Sequence, residues 1–271
     1  MLFYILISVL PQINPANYPG ASAIYVFDST CIMMDLHGRV ETRKHLLMKI
    51  FDRRGRDSYS NFMQRYNKTS EKIEINFVKT HTIKKDGQII EISREEGIGD
   101  LSTISASIAP QYSNARIKTC AFGGVEPGDF IEYESIKHTK PSKDKAIFGE
   151  EIFATDEPIL HKAVKLKLPV KKKIKFKIFG NIKVDTLKEA KYVTYNFSCD
   201  SIPRLRHEQY SLPAYAFATR VLYTSFDSWK EVANWVAKKF YCALKRDSRI
   251  ETVSYTHLRA HETRHDLVCR L

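Results

Sequence analysis

The stretches His-Lys-Ala-Val-Lys-Leu-Lys-Leu at 161–168 and Lys-Lys-Ile-Lys-Phe-Lys-Ile-Phe at 172–179 alternate polar and apolar residues with a period of two. That period belongs to a half-buried β-strand, whose successive side chains point to opposite faces. Lys165 and Lys167 alternate with Leu166 and Leu168, and Lys173, Lys175 and Lys177 with Ile174, Phe176 and Ile178. The run Lys162, Lys165, Lys167, Lys171, Lys172, Lys173, Lys175 and Lys177 therefore reads as the solvent face of strands rather than a nucleic-acid surface. Its aromatic residues fall on the opposite, core-facing side, and edge lysines also prevent pairing with other chains.

The same alternation extends outward in both directions. Ala23–Phe27 and Thr30–Leu36 are short apolar runs, and Leu36-His37-Gly38-Arg39 turns into a longer strand over 40–51. Asp52–Arg56 reads as a polar turn in which Gly55 takes positive φ. Strands follow over 72–84 and 88–92, joined by the hairpin turn Asp86-Gly87. Ser93–Lys118 is a weakly patterned excursion with room for a short helix. Strands at 117–122 and 130–136 are expected to be joined as a hairpin through Gly123, Gly124 and Gly128, and a further strand covers 192–199. One helix stands out. Ser228 and Glu231 form a capping box, and Trp229, Val232, Ala233, Val236, Phe240 and Leu244 repeat at helical spacing. This spacing puts Trp229 in the core and Trp235 off the apolar stripe. The fold class expected is all-β, a large antiparallel sandwich-like domain with a C-terminal α-helix.

The chain of 271 residues carries a net charge of +12, which permits anionic partners without specifying one. A basic nucleic-acid-binding module is the alternative reading. Cys31, Cys120, Cys199 and Cys242 are widely spaced with no CxxC pair, so neither a zinc site nor a disulfide framework is indicated. The first three fall in strand-like apolar runs and the fourth late in the helix, where the dipole opposes a thiolate. All four read as small buried hydrophobes. Gly123, Gly124 and Gly128 lack the GxxxxGK[ST] spacing of a phosphate loop and lead into a strand.

The final nineteen residues, Val253–Leu271, back-translate in one frame to a string resembling a DNA-sequencing adapter. His257, His261 and His265 would otherwise stack on one helix face as a metal site requires. On this reading they and Cys269 are an artefactual tail. No catalytic, cofactor-binding or metal residue is assigned, and no cofactor is expected. The opening Met1–Gln12 is apolar but too short to span a membrane, leaving a first strand or the remnant of a secretory signal.

Five segments in order resemble the uncharacterised domain at the N-terminus of bacterial transglutaminase-like proteins. They are KHLLMKIFDRRGRD at 44–57, EKIEINFVKTHTIKKDGQIIE at 71–91, FGGVEPGDFIEYES at 122–135, DEPILHKAVKLKLP at 156–169 and SFDSWKEVANWVAKKF at 225–240. The resemblance implies a β-sandwich-rich, non-catalytic unit that leads into a cysteine-protease-like domain. No Gly-Asp-Cys motif of that domain occurs here, so no catalytic residue is transferred. The organisation expected is a leader or signal remnant at 1–20, an accessory domain at 21–224, a helix at 225–252 leading to a missing catalytic domain, and the tail at 253–271. The implied setting is the periplasm or cell envelope. The implied partners are the missing domain, by intramolecular packing, and an envelope protein or polymer, with no nucleic acid and no transmembrane segment.

Overall fold

The computed structural model describes residues 13–108, 113–141, 146–205, 212–244 and 252–253. The chain divides into a β-rich unit ending at Ser225 and a second unit beginning at Phe226. The strands are β1 (Ala23–Met34), β2 (Val40–Ile50), β3 (Asn61–Asn67), β4 (Glu71–Ile75), β5 (His81–Ile83), β6 (Ile89–Glu91), β7 (Ile98–Ser102) and β8 (Ala115–Ala121). They continue with β9 (Phe130–Thr139), β10 (Phe148–Ile152), β11 (Ile159–Pro169), β12 (Lys175–Phe179), β13 (Lys183–Lys188), β14 (Tyr192–Ile202) and β15 (Arg220–Thr224).

Nine strands form one large sheet in the order β13-β14-β11-β1-β2-β9-β5-β6, with β4 also paired to β9. The sheet is mixed rather than purely antiparallel: β1 runs parallel to β11, while every other pairing among the described strands is antiparallel. It is two antiparallel blocks, β13-β14-β11 and β1-β2-β9-β5-β6, placed side by side along that junction. Two three-stranded sheets, β10-β15-β12 and β3-β8-β7, complete the β-rich unit.

Register shows that both small sheets cover the same face of the large one. Asp28 lies opposite both Lys162 and Leu46, so the even-numbered residues of β11, the Asp28–Met34 part of β1, and β2 share a face. On one side, Ile32, Val164, Leu166, Leu168 and Phe197 pack with Val221 and Tyr223 of β15. On the other, Leu46, Met48, Ile131 and Tyr133 pack with Cys120 of β8. Two cores thus share one sheet, and Tyr25 packs against both.

Between the cores lies a buried ion pair. Lys162 Nζ donates to Asp28 Oδ2 over 2.6 Å across the parallel junction, and both side chains are buried. Burial alone would raise the Asp28 carboxyl. Attraction to Lys162 and Lys44, with the Lys162 hydrogen bond, outweighs it and holds the group below its usual range. Lys162 corrects its placement in the solvent-facing lysine run. It shares the parity of Val164 and Leu166, not of Lys165 and Lys167, and so faces inward.

Three other local readings are corrected. Asp52–Arg56 is not a turn with a left-handed glycine: Asp52 caps a helix, Arg53–Tyr59, by accepting the Gly55 N–H over 3.0 Å. Gly55 is required for space, since a Cβ there would stand 2.1 Å from the Ser22 carbonyl oxygen. The segment Gly123–Asp129 is not a hairpin, because β8 and β9 belong to different sheets and the segment passes between them. The excursion 93–118 holds β7 as well as the expected short helix, Ile104–Ile108.

In the second unit the helix runs Trp229–Ala243 with Ser228 as N-cap, and Glu231 reaches back to the Asp227 N–H over 2.7 Å. The apolar stripe is not a core within this unit. Trp229 is 87% exposed, whereas Trp235 is the packed indole, 5.5 Å from the Phe226 ring centroid with Lys239 Nζ 4.0 Å above it.

Removing one member of the buried pair leaves an uncompensated buried group. Asp28→Asn or Lys162→Met should each lower the unfolding free energy by about 3–5 kcal/mol. The double variant Asp28→Leu/Lys162→Met should recover most of that loss. Urea denaturation of the three variants measures it; strictly additive losses would show that the two groups are uncoupled.

Candidate functional site

The face of the large sheet opposite the two cores carries a continuous run of charge along β2, β9, β4 and β5. Alternation sends His45, Arg43 and Glu41 of β2 to this face, opposite Glu134, Ile136 and His138 of β9. His81 of β5 lies opposite Glu132, and Glu74 and Lys72 of β4 lie opposite Ile136 and His138. Two links set its centre: His45 Nε2 is 2.7 Å from Glu132 Oε1, and His81 Nε2 is 3.2 Å from Glu132 Oε2. The run continues through Glu134 to Arg43 at 3.8 Å, Arg43 to Glu41 at 3.5 Å, and His138 to Glu41 and Glu74 at 3.9 and 3.5 Å. It ends at Lys72, 2.7 Å from Glu74.

Its anchors are two buried carboxylates. Burial alone would raise the Glu132 carboxyl, but hydrogen bonding and attraction from His45 and His81 prevail and bring it down to about 2. Burial acts against Glu134 in the same way. There the Asn76 amide, donating over 2.5 Å, and the Lys79 ammonium, at 3.2 Å, hold the carboxyl low. Asn76 and Lys79 come from a 3₁₀ turn, Phe77–Lys79, whose cap is the Asn76 side chain. Phe27 packs its ring against His45 edge-on, with centroids 4.8 Å apart.

This geometry favours charge storage over proton abstraction. A general base needs one ring nitrogen free to face a substrate. Both nitrogens of His45 face carboxylates, Nε2 at 2.7 Å from Glu132 and Nδ1 at 3.7 Å from Glu134. His81 is itself buried. Among the described residues no group of three or more His, Cys, Asp or Glu side chains is arranged to hold a metal ion.

The residues singled out from the sequence lie elsewhere. Cys120 is buried, and burial pushes its thiol up to about 12. Cys31 and Cys199 are half-buried, with thiols also raised, by burial first. A raised thiol carries little thiolate near neutral pH, so these three are poor nucleophiles. Lys165, Lys173, Lys175 and Lys177 are exposed, and Lys167 is half-buried, paired with Glu189 at 2.9 Å. The Cys242 side chain and residues 254–271, with His257, His261, His265 and Cys269, lie outside the described residues, as does Met1–Gln12.

The turn Gly123–Asp129 has a structural task. Gly124 and Gly128 adopt positive φ, at 64° and 99°. The buried Asp129 carboxylate accepts from the Glu126 and Lys85 backbone N–H groups over 2.8 and 3.1 Å and from Lys84 Nζ over 2.6 Å. The turn leads directly into β9, where Glu132 and Glu134, two residues apart, share one face. Neither carboxylate was singled out from the sequence. The available signal was their i, i+2 spacing in Phe-Ile-Glu-Tyr-Glu-Ser, which sets two acids on one side of a strand whose other side carries Ile131 and Tyr133.

The depressed Glu132 carboxyl makes a signed prediction. Its contribution to stability is fully present above the unfolded value of about 4.3 and is lost as pH falls toward 2. Glu132→Gln should be less stable than the wild type at pH 7 by about 3 kcal/mol, the two converging at pH 2. Chemical denaturation at a series of pH values measures the difference; a gap that stays constant with pH would contradict the assignment.

Three comparisons bear on identity. The fold is similar to that of a protein from Parabacteroides distasonis described as a "putative protease", with a TM-score of 0.75 and 18% identity. The match covers 80% of this chain and 43% of that one, so this chain spans less than half the length of that protein. An M1 zinc metallopeptidase from Deinococcus radiodurans matches with a TM-score of 0.37 and 8% identity, over 75% of this chain and 43% of that one. No curated protein matches. Residues 37–206 match the model of DUF3857, a domain of unknown function with a solved structure. That range includes the whole charged run of the open face, and the chain belongs to the DUF3857 family.

Proposed function

We infer that this chain supplies the non-catalytic, N-terminal accessory region of a transglutaminase-like, cysteine-protease-like protein of the bacterial envelope. The observation that carries the reading is one of coverage. Most of this fold is reproduced in the Parabacteroides protein, yet more than half of that protein lies beyond the match. In this reading the catalytic residues belong to such a further region, and the β-rich unit packs on it, positions it or presents it to an envelope protein or polymer.

Two features of the chain support the reading. The three described thiols are all raised by burial, and the best-placed imidazole, His45, spends both nitrogens on internal carboxylates. The helix Trp229–Ala243 is amphipathic, and Trp229, Val236, Phe240 and Leu244 are exposed within their own unit. An apolar helical stripe of that kind suits packing against another domain.

The test has a genetic and a biochemical arm. The gene of the longer protein should encode, beyond this domain, a Gly-Asp-Cys motif followed by His and Asp. The purified chain should show no peptidase or transglutaminase activity on casein. The longer protein should show that activity and lose it when its Gly-Asp-Cys cysteine is changed to Ala. Activity in the present chain that disappears in Cys31→Ser, Cys120→Ser or Cys199→Ser would overturn the reading, as would a full-length gene without such a motif.

A further inference from the structure

At one end of the large sheet three loops surround an open groove of about 710 Å³. They are the turn between β1 and β2, the turn between β3 and β4, and the segment leaving β9. Met33, Val40 and Pro141 give the groove an apolar part, and Arg39, Lys68 and Lys140 bring one cation from each loop.

The carboxylates of the groove are committed to neighbours. Asp35 accepts the backbone N–H groups of His37 and Arg39 over 2.9 and 2.8 Å, which closes the β1–β2 turn. Glu71 accepts the Asn67 N–H over 2.7 Å and pairs with Lys137 at 3.3 Å. Glu41 lies between Arg43 and His138. The cations are not matched in the same way. Among the described residues the Arg39 guanidinium and the Lys68 ammonium have no hydrogen bond or ion pair, and Lys140 Nζ donates only to the neutral Thr69 carbonyl, over 2.8 Å. Three positive charges on three separate loops therefore border the groove, Arg39 also attracting the Asp35 carboxylate of its own loop.

We propose that this groove binds an extended acidic peptide segment, its carboxylates meeting Arg39, Lys68 and Lys140 and its intervening apolar residues lying along Met33, Val40 and Pro141. A compact phosphate is the poorer fit. Phosphate sites converge backbone N–H groups from a glycine-rich turn or a helix start. None of the residues lining this groove is a glycine or lies in a helix. A nucleic-acid backbone is also a poorer fit, because charge at every step would be set against Asp35, Glu41 and Glu71. A peptide carries its carboxylates at intervals. The site is independent of whether the chain serves a catalytic domain.

The probe is a fluorescein-labelled nonapeptide of three Glu-Gly-Leu repeats, followed by fluorescence anisotropy with the full chain at low salt. The triple variant Arg39→Glu/Lys68→Glu/Lys140→Glu should bind it at least about tenfold more weakly, as expected for three exposed ion pairs. The milder Arg39→Ala/Lys68→Ala should lose about threefold, which keeps the test intact if the triple variant folds poorly. Lys165→Glu/Lys171→Glu/Lys173→Glu removes equal charge from an exposed surface elsewhere and should leave binding unchanged. Absence of binding at low salt would overturn the proposal, as would equal loss in the two triple variants. So would tighter binding of inorganic phosphate or a single-stranded oligonucleotide that Arg39→Ala/Lys68→Ala abolishes.

Discussion

The Asp28–Lys162 pair is the interaction on which the two halves of this protein depend. Each half of the large sheet has its own covering sheet, but the core under β11 and β14 also takes in Ile32 and Met34 of β1, so apolar burial crosses the junction. Apolar packing there tolerates small shifts that a buried charge does not. A strand slipped by one residue would exchange its two faces, and a charged pair buried at 2.6 Å across the parallel junction penalises that slip strongly. The pair is thus better understood as setting register than as adding net stability. Its location between two cores, where no water can compensate a displaced charge, is what gives it that power.

The opposite face shows the same economy with a different outcome. Glu132 and Glu134 are buried on a strand whose other face is core, so each needs partners close at hand. His45, His81, Asn76 and Lys79 supply them from β2, β5 and a short turn. β2 and the stretch 76–81 converge on two carboxylates. The charges that continue toward Lys72 are more exposed, and their mutual attraction is correspondingly weaker.

Much of this was legible in the residues. Period-two alternation identified β2, β9, β11 and β14 closely, and the Ser228–Glu231 box placed the helix start correctly. What was not legible has physical causes. Lys162 was grouped with its neighbours by composition, although its parity already placed it inward. Gly55 was read through the backbone freedom of glycine, whereas its requirement is the nearness of the Ser22 carbonyl, a contact between distant segments. β10, β13 and β15 are short, and β13 is largely exposed, so little alternation marks them. The partnership of Glu132 and Glu134 with two histidines depends on strand order, and no local pattern encodes strand order. Trp229 was assigned inward from helical spacing, which identifies a stripe but not what the stripe meets.

The parallel junction also orders events in time. Asp28 and Lys162 are 134 residues apart, so β1 cannot acquire this neighbour until β11 has been synthesised. Through that interval the antiparallel block of β1, β2 and β9 can close on the core it shares with β8, but β1 remains an open edge with unpaired backbone groups and the apolar segment Ile32–Met34. Loop closure over such a separation is entropically slow, and an open apolar edge recruits strands from other chains. Asp28 and the neighbouring Lys44 put charge on that edge before β11 arrives. The residues that secure the finished register therefore also act as gatekeepers for the nascent chain.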